Sequence, residues 1–139
     1  MKGIILAGGS GSRLDPLTKV TSKHLLPIYN KPMIFYPLQT LINAGVKDIL
    51  LISDPINTGN FVKLLGSGED FGVKILYEVQ DKPEGLAQAF ILGENFIGDD
   101  NVTMILGDNL FLGDNKFLEN AIKDFKFGGS IFAKEVKDP

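Results

Sequence analysis

Short apolar runs recur along this 139-residue chain, and between them lie segments whose apolar residues are spaced as on one face of a helix. That alternation constrains the fold more than any other feature. Residues 3–7 form the first run, which ends in glycines and reads as a buried strand. Residues 48–53 contain Ile49-Leu50-Leu51-Ile52, and residues 102–106 form a further run followed by Gly107-Asp108. Residues 73–79 alternate in part, and 130–136 read as a last strand. Helical spacing falls on 33–44, with Ile34, Leu38, Leu41 and Ile42 on one face and Gly45 placed as the C-cap. It recurs at 58–65, closed by Gly66, at 85–96 and at 116–125. Strands and helices therefore alternate about every 25 residues, the pattern of βαβ units around a largely parallel sheet. Such apolar strands need cover on both faces. The expected fold is α/β: a three-layer, Rossmann-like, largely parallel sheet with helices on both faces.

The length suits one domain. A formal net charge of −3 and the lack of any basic stripe argue against a nucleic-acid partner. The chain has no cysteine, which excludes disulfides and thiolate metal sites and fits a cytoplasmic location. The N-terminal apolar run, residues 4–7, is too short for a signal-peptide core or a membrane span, and no membrane partner is expected.

Chemistry concentrates in Leu6-Ala7-Gly8-Gly9-Ser10-Gly11-Ser12-Arg13-Leu14, followed by Pro16-Leu17-Thr18 and Lys23. Glycines directly after a strand let backbone N–H groups approach a phosphate, because no Cβ intervenes. Arg13 and Lys23 add positive charge beside them. A plain tight turn with two surface cations accounts equally well for the loop alone. It lacks the Gly-Lys-Ser/Thr ending of a P-loop, and Leu14 stands where Gly-x-Gly-x-x-Gly needs its last glycine. Asp108 has two readings as well: a turn residue in Gly-Asp-Asn, or a carboxylate in the crevice beyond the carboxyl end of a parallel strand.

Taken together, several blocks in order resemble the sugar nucleotidyltransferases, or NDP-sugar pyrophosphorylases. These blocks are the glycine loop through Thr18, Lys23-x-Leu25-Leu26-Pro27-Ile28, Lys31-Pro32-Met33-Ile34, Tyr77-x-x-Gln80, Gly85-Leu86-Ala87-Gln88-Ala89 and Leu106-Gly107-Asp108-Asn109. The likeness covers residues 2–139 and is strongest to members that transfer thymidylyl groups to glucose 1-phosphate.

The resemblance implies a role for each matching position. Leu6, Gly8, Gly9, Gly11 and Ser12 would line the nucleotide. Arg13 and Lys23 would be catalytic, Arg13 on the departing pyrophosphate and Lys23 at the α-phosphate. Gln80 and Gly85 would read the pyrimidine edge, and a side-chain amide with a backbone N–H can do so. Asp108 would hold Mg²⁺, which prefers oxygen ligands. Leu86 and Asn109 would lie on the sugar side. The implied reaction joins dTTP or UTP to a sugar 1-phosphate, releasing pyrophosphate in line. Positioning and charge neutralisation supply most of such catalysis.

The same resemblance makes residues 1–139 the nucleotide-binding half of the domain. The sugar-binding half is then expected downstream, with a Glu-Lys pair and a second Asp. This chain would bind nucleotide but turn over poorly, and the full-length form would be a homo-oligomer. Uridylyl transfer to glucose or N-acetylglucosamine 1-phosphate, and a non-catalytic nucleotide-sugar-sensing module, remain alternatives.

The remaining polar residues have quieter readings. His24 departs from the Gln frequent at that place in thymidylyl members and is expected as a supporting contact rather than a base, since the attacking phosphate is already an anion. Asp15 is expected to point outward. Glu69-Asp70, Asp99-Asp100 and Asp114 read as solvated surface, and the phenylalanines from Phe111 to Phe132 as core. Pro32 suits the first position of the following helix.

Overall fold

A computed structural model describes residues 1–9, 11–111, 113, 116–133 and 135–137. Four strands form a parallel sheet: β1 (Lys2–Ala7), β4 (Asp48–Ser53), β5 (Lys74–Val79) and β6 (Val102–Leu106), in the order β5-β4-β1-β6. Between β1 and β4 lie a short antiparallel pair, β2 (Pro27–Ile28) and β3 (Lys31–Pro32), and helix α1 (Phe35–Asn43). Helix α2 (Thr58–Leu65) joins β4 to β5, and α3 (Gln88–Leu92) with α4 (Glu94–Ile97) joins β5 to β6. Helix α5 (Lys116–Asp124) follows.

Period-2 alternation along the strands sorts the core into two layers. Ile5, Ala7, Ile49, Leu51, Ile75 and Ile105 face one side, where Leu38 and Leu41 of α1, Phe61 and Leu65 of α2 and Leu118 of α5 cover them. Ile4, Leu6, Leu50, Ile52, Met104 and Leu106 face the other, against Ala89, Leu92, Phe96 and Ile97. The expected three layers are therefore present, with helices on both faces.

Four expectations change. The helix expected over 85–96 is two short helices parted at Gly93, where an added Cβ would lie 3.0 Å from the Ala89 carbonyl and 3.1 Å from Ile4. Close packing of the crossover against Ile4 of β1 and Leu50 of β4 leaves little room for a side chain there. Pro32 belongs to β3, and α1 begins at Phe35. The described residues of 130–136 form no strand, and Phe127 and Phe132 are exposed rather than core, although Phe132 packs edge-on to Phe117 at 5.2 Å.

Strand order decides where a ligand can sit. From β1 the chain winds outward through β4 to β5, then crosses back to β6 on the other side of β1. The order reverses at the carboxyl ends of β1 and β6, and a crevice opens at such a switch point. The Gly107 N–H donates to the Leu6 carbonyl at 2.9 Å, so both strands deliver their following loops to that crevice.

Candidate active site

The loop after β1 turns sharply through Gly11, at φ 60, into a 3₁₀ turn over Ser12–Leu14. Two constraints reserve that position for glycine. The φ is left-handed, and an added Cβ would come within 2.9 Å of Thr18 Cγ2 and 3.3 Å of Lys23 Cβ. Thr18 Oγ1 donates to the Gly11 carbonyl at 3.0 Å and pins the loop from below.

Lys23 opens the 3₁₀ turn Lys23–Leu25, and its Nζ donates to Asp108 Oδ2 at 2.5 Å. Burial pushes the Asp108 carboxyl up, but the Lys23 hydrogen bond and charge, with a smaller pull from His24, leave it below the usual range. Asp108 is thus an ionised carboxylate at the mouth of the crevice. The structure brings Lys23 and Asp108 together from positions far apart in the chain.

His24 lies beneath them, 1% exposed. Its Nδ1 pairs with Ser22 Oγ at 2.9 Å. The Ser22 N–H donates to Asn57 Oδ1 at 3.0 Å, and Asn57 Nδ2 donates to the Asp54 carboxylate at 2.9 Å. Burial first, then the Lys23 charge, lowers the His24 pKa from 6.5 to about 4, against opposing pulls from Asp108 and Asp54. A neutral, buried imidazole suits the expected supporting contact. Its ring fills the space beside Gly107, where an added Cβ would meet His24 Cδ2 at 2.7 Å.

Gln80, expected to read the base, directly follows β5 and is buried, and its Nε2 donates to Gln88 Oε1 at 2.6 Å. Gly9, Lys19, Ser22, Asp54, Asn57 and Gln80 share a crevice of about 410 Å³. A larger groove of about 940 Å³ lies between β6, α5 and residues 128–133 and includes Asn109 but no residue of the glycine loop. Both expose mainly apolar surface, and the smaller one adds the side chains of Lys19, Asp54, Asn57 and Gln80, polar groups that can orient a ligand.

Other expected positions stand apart. Arg13 is exposed, with no hydrogen bond or ion pair among the described residues. Ser12, Gly85 and Leu86 are exposed, Gly85 at φ 96. Leu6 is buried, with its carbonyl bound to Gly107. Asn109 turns back, its Oδ1 accepting from the Leu106 N–H at 3.4 Å. Asp15 is exposed, 3.9 Å from Lys19. Glu69, Asp70, Asp99 and Asp100 are exposed, Asp100 pairing with Lys2 at 2.9 Å, and Asp114 lies outside the described residues. Sequence reasoning gave no role to Ser22, Asp54, Asn57, Glu84 or Gln88. Asp54-x-x-Asn57 just before a helix is a turn signal that could have drawn attention to the first of these networks.

The donor set suits a magnesium ion in a limited way. No group of three His, Cys, Asp or Glu residues gathers among the described residues. Asp108 offers one ionised carboxylate, and Mg²⁺ is often held by one or two carboxylates with substrate phosphates and water completing the shell.

Fold and loop together define a doubly wound α/β domain with a glycine-rich loop and the Lys23–Asp108 pair at its switch point. Residues 2–139 match the family described as Nucleotidyl transferase. The chain is 55% identical to a glucose-1-phosphate thymidylyltransferase of Neisseria meningitidis over 100% of this chain and 49% of that protein. It is 53% identical to the one of Mycolicibacterium smegmatis, over 100% of this chain and 48% of that protein. A solved structure from Bacillus anthracis, described as a glucose-1-phosphate thymidylyltransferase in complex with sucrose, superposes with a TM-score of 0.83 at 48% identity, over 89% of this chain and 49% of that one. A UDP-glucose pyrophosphorylase with UDP-glucose superposes at 0.71 with 26% identity, over 88% of this chain and 52% of that one. The chain belongs to the nucleotidyl transferase family, and it spans about half the length of the curated relatives it matches. Members act on a nucleoside triphosphate and a sugar 1-phosphate and generally use a divalent metal.

Proposed function

We propose that this chain is the nucleotide-binding half of an enzyme that transfers a thymidylyl group from dTTP to glucose 1-phosphate, releasing pyrophosphate. The observation that carries the reading is the Lys23–Asp108 pair beside the glycine loop at the sheet's switch point. The turn of the loop at Gly11 supports a backbone cradle for the triphosphate. Arg13, with no partner among the described residues, is free to take the departing pyrophosphate. Lys23 would shift from Asp108 towards the α-phosphate as nucleotide arrives, and its charge would offset what develops there.

Asp108, released from Lys23, would hold Mg²⁺, which when bound neutralises phosphate charge. Gln80 and the Gly85 N–H would read the base. Leu86 and Asn109 would border the sugar. His24 needs no proton role, because the attacking phosphate oxygen is already anionic. The likeness to the UDP-glucose pyrophosphorylase supports UTP as a second nucleotide.

Calorimetric titration with dTTP, UTP and ATP tests the reading. Selective binding of the two pyrimidine nucleotides is expected. Equal binding of ATP, or no binding of any, would overturn it.

A further inference from the structure

Gln80 carries information beyond its position. The shape of a carboxamide does not tell its oxygen from its nitrogen; its neighbours must. Here the assignment starts from a donor of certain identity. The backbone N–H of Glu84 donates to one terminal atom of Gln88 at 3.0 Å, so that atom is Oε1. The other, Nε2, donates to Glu84 Oε2 at 2.9 Å, which agrees. Gln80 places one terminal atom 2.6 Å from the same Gln88 Oε1, so that atom is the donor Nε2.

The Gln80 Oε1 must then face the opposite way. It lies over Gly8, where an added Cβ would sit only 2.7 Å away. No described residue donates to it, and no buried side-chain oxygen or nitrogen among the described residues is left without a partner. Oε1 therefore opens on the crevice that Gln80 lines.

We infer that Gln88, held by Glu84, is a positioning residue that fixes the polarity of the Gln80 amide, making Gln80 an acceptor that selects pyrimidines carrying a hydrogen on ring N3. This rests on the reading of Gln80 as a base-contacting residue. Thymine and uracil carry that hydrogen. Cytosine presents a lone pair at N3, so two acceptors would face each other with neither satisfied. Without Gln88 the amide is free to rotate by half a turn and offer its NH₂ group to cytosine. A mismatched buried polar contact of this kind costs about tenfold or more in affinity.

The test compares dTTP and dCTP binding to the parent chain, Gln88→Met, the double variant Gln88→Glu with Glu84→Gln, and Gln80→Met. Gln88→Glu, made together with Glu84→Gln so that one partner of that contact still donates, keeps an acceptor for Gln80 Nε2, whereas Gln88→Met removes it. The parent and the double variant should prefer dTTP, and Gln88→Met should lose about tenfold of that preference, chiefly by gaining dCTP. A full preference in Gln88→Met, with its loss in Gln80→Met, overturns the lock and leaves the base contact standing. An unchanged preference in Gln80→Met overturns both. A nucleotide-free readout is hydrogen exchange of the Gln80 carboxamide protons by NMR. It should be slow in the parent and fast in Gln88→Met; equal rates would overturn the lock.

Discussion

Lys23 Nζ reaches Asp108 Oδ2 at 2.5 Å, bridging the loop that follows β1 and the loop that follows β6. The pair joins two loops that the strand order brings together, and the lysine lowers the pKa of the carboxyl. Lysine keeps the carboxyl ionised, and the carboxylate gives the ammonium a partner.

Replacing Asp108 with Asn should cost little stability. The folded carboxyl lies below its ordinary value of 3.8, so the pair stabilises above that pH and its contribution is lost as pH falls through the lower, folded value. The partners are 24% and 36% exposed, which limits the effect to about 1 kcal/mol or less. Urea denaturation at pH 7 should show that small loss, and the acid limb below pH 4 should be shallower than in the parent. A loss of several kcal/mol at pH 7 would mean that the pair is chiefly structural.

His24 makes a prediction of the same sign in a higher pH window. Its pKa is lowered from 6.5 to about 4, so between those values the unfolded chain binds the proton and the folded chain does not. Stability should therefore fall as pH drops from 6.5 towards 4, by up to about 3 kcal/mol. Denaturation midpoints at pH 7, 5.5 and 4.5 for the parent and for His24→Gln check this. The variant should lose most of that slope, and an identical slope would contradict the assignment.

Gly107 and His24 should be energetically coupled. A Cβ at 107 would meet the imidazole at 2.7 Å and the Ala7 Cβ at 3.1 Å. Gly107→Ala should destabilise by about 1–3 kcal/mol through overpacking. In a His24→Ala background most of that cost should vanish. Strict additivity across the double-mutant cycle would rule the contact out.

How much of this was legible in the sequence depends on the range of the forces involved. β1, β4 and β6 are apolar on both faces, and α2 ends at Gly66, so local pattern placed them to within a residue. The break at Gly93 and the β2–β3 pair reflect tertiary packing and a tight turn, which periodicity does not carry. In the site, the loop and Asp108 were visible as types of residue at strand ends. The contacts of Lys23 with Asp108 and of Gln80 with Gln88 were not, because each joins residues from different elements. His24 illustrates the limit: a supporting contact was expected there, but its burial beside Gly107 and its pairing with Ser22 come from tertiary packing.

The most direct test of the account is calorimetric titration of dTTP, with and without Mg²⁺, into the parent chain and Arg13→Ala, with the unfolding midpoint of each recorded. Arg13 is exposed and unpartnered among the described residues, so the substitution should move stability by no more than about 0.5 kcal/mol. The account predicts that it nonetheless weakens dTTP binding by about tenfold or more through loss of a charge-assisted phosphate contact. Equal dTTP affinity in the parent and in Arg13→Ala, both folded, would contradict the placement of the triphosphate on the glycine loop.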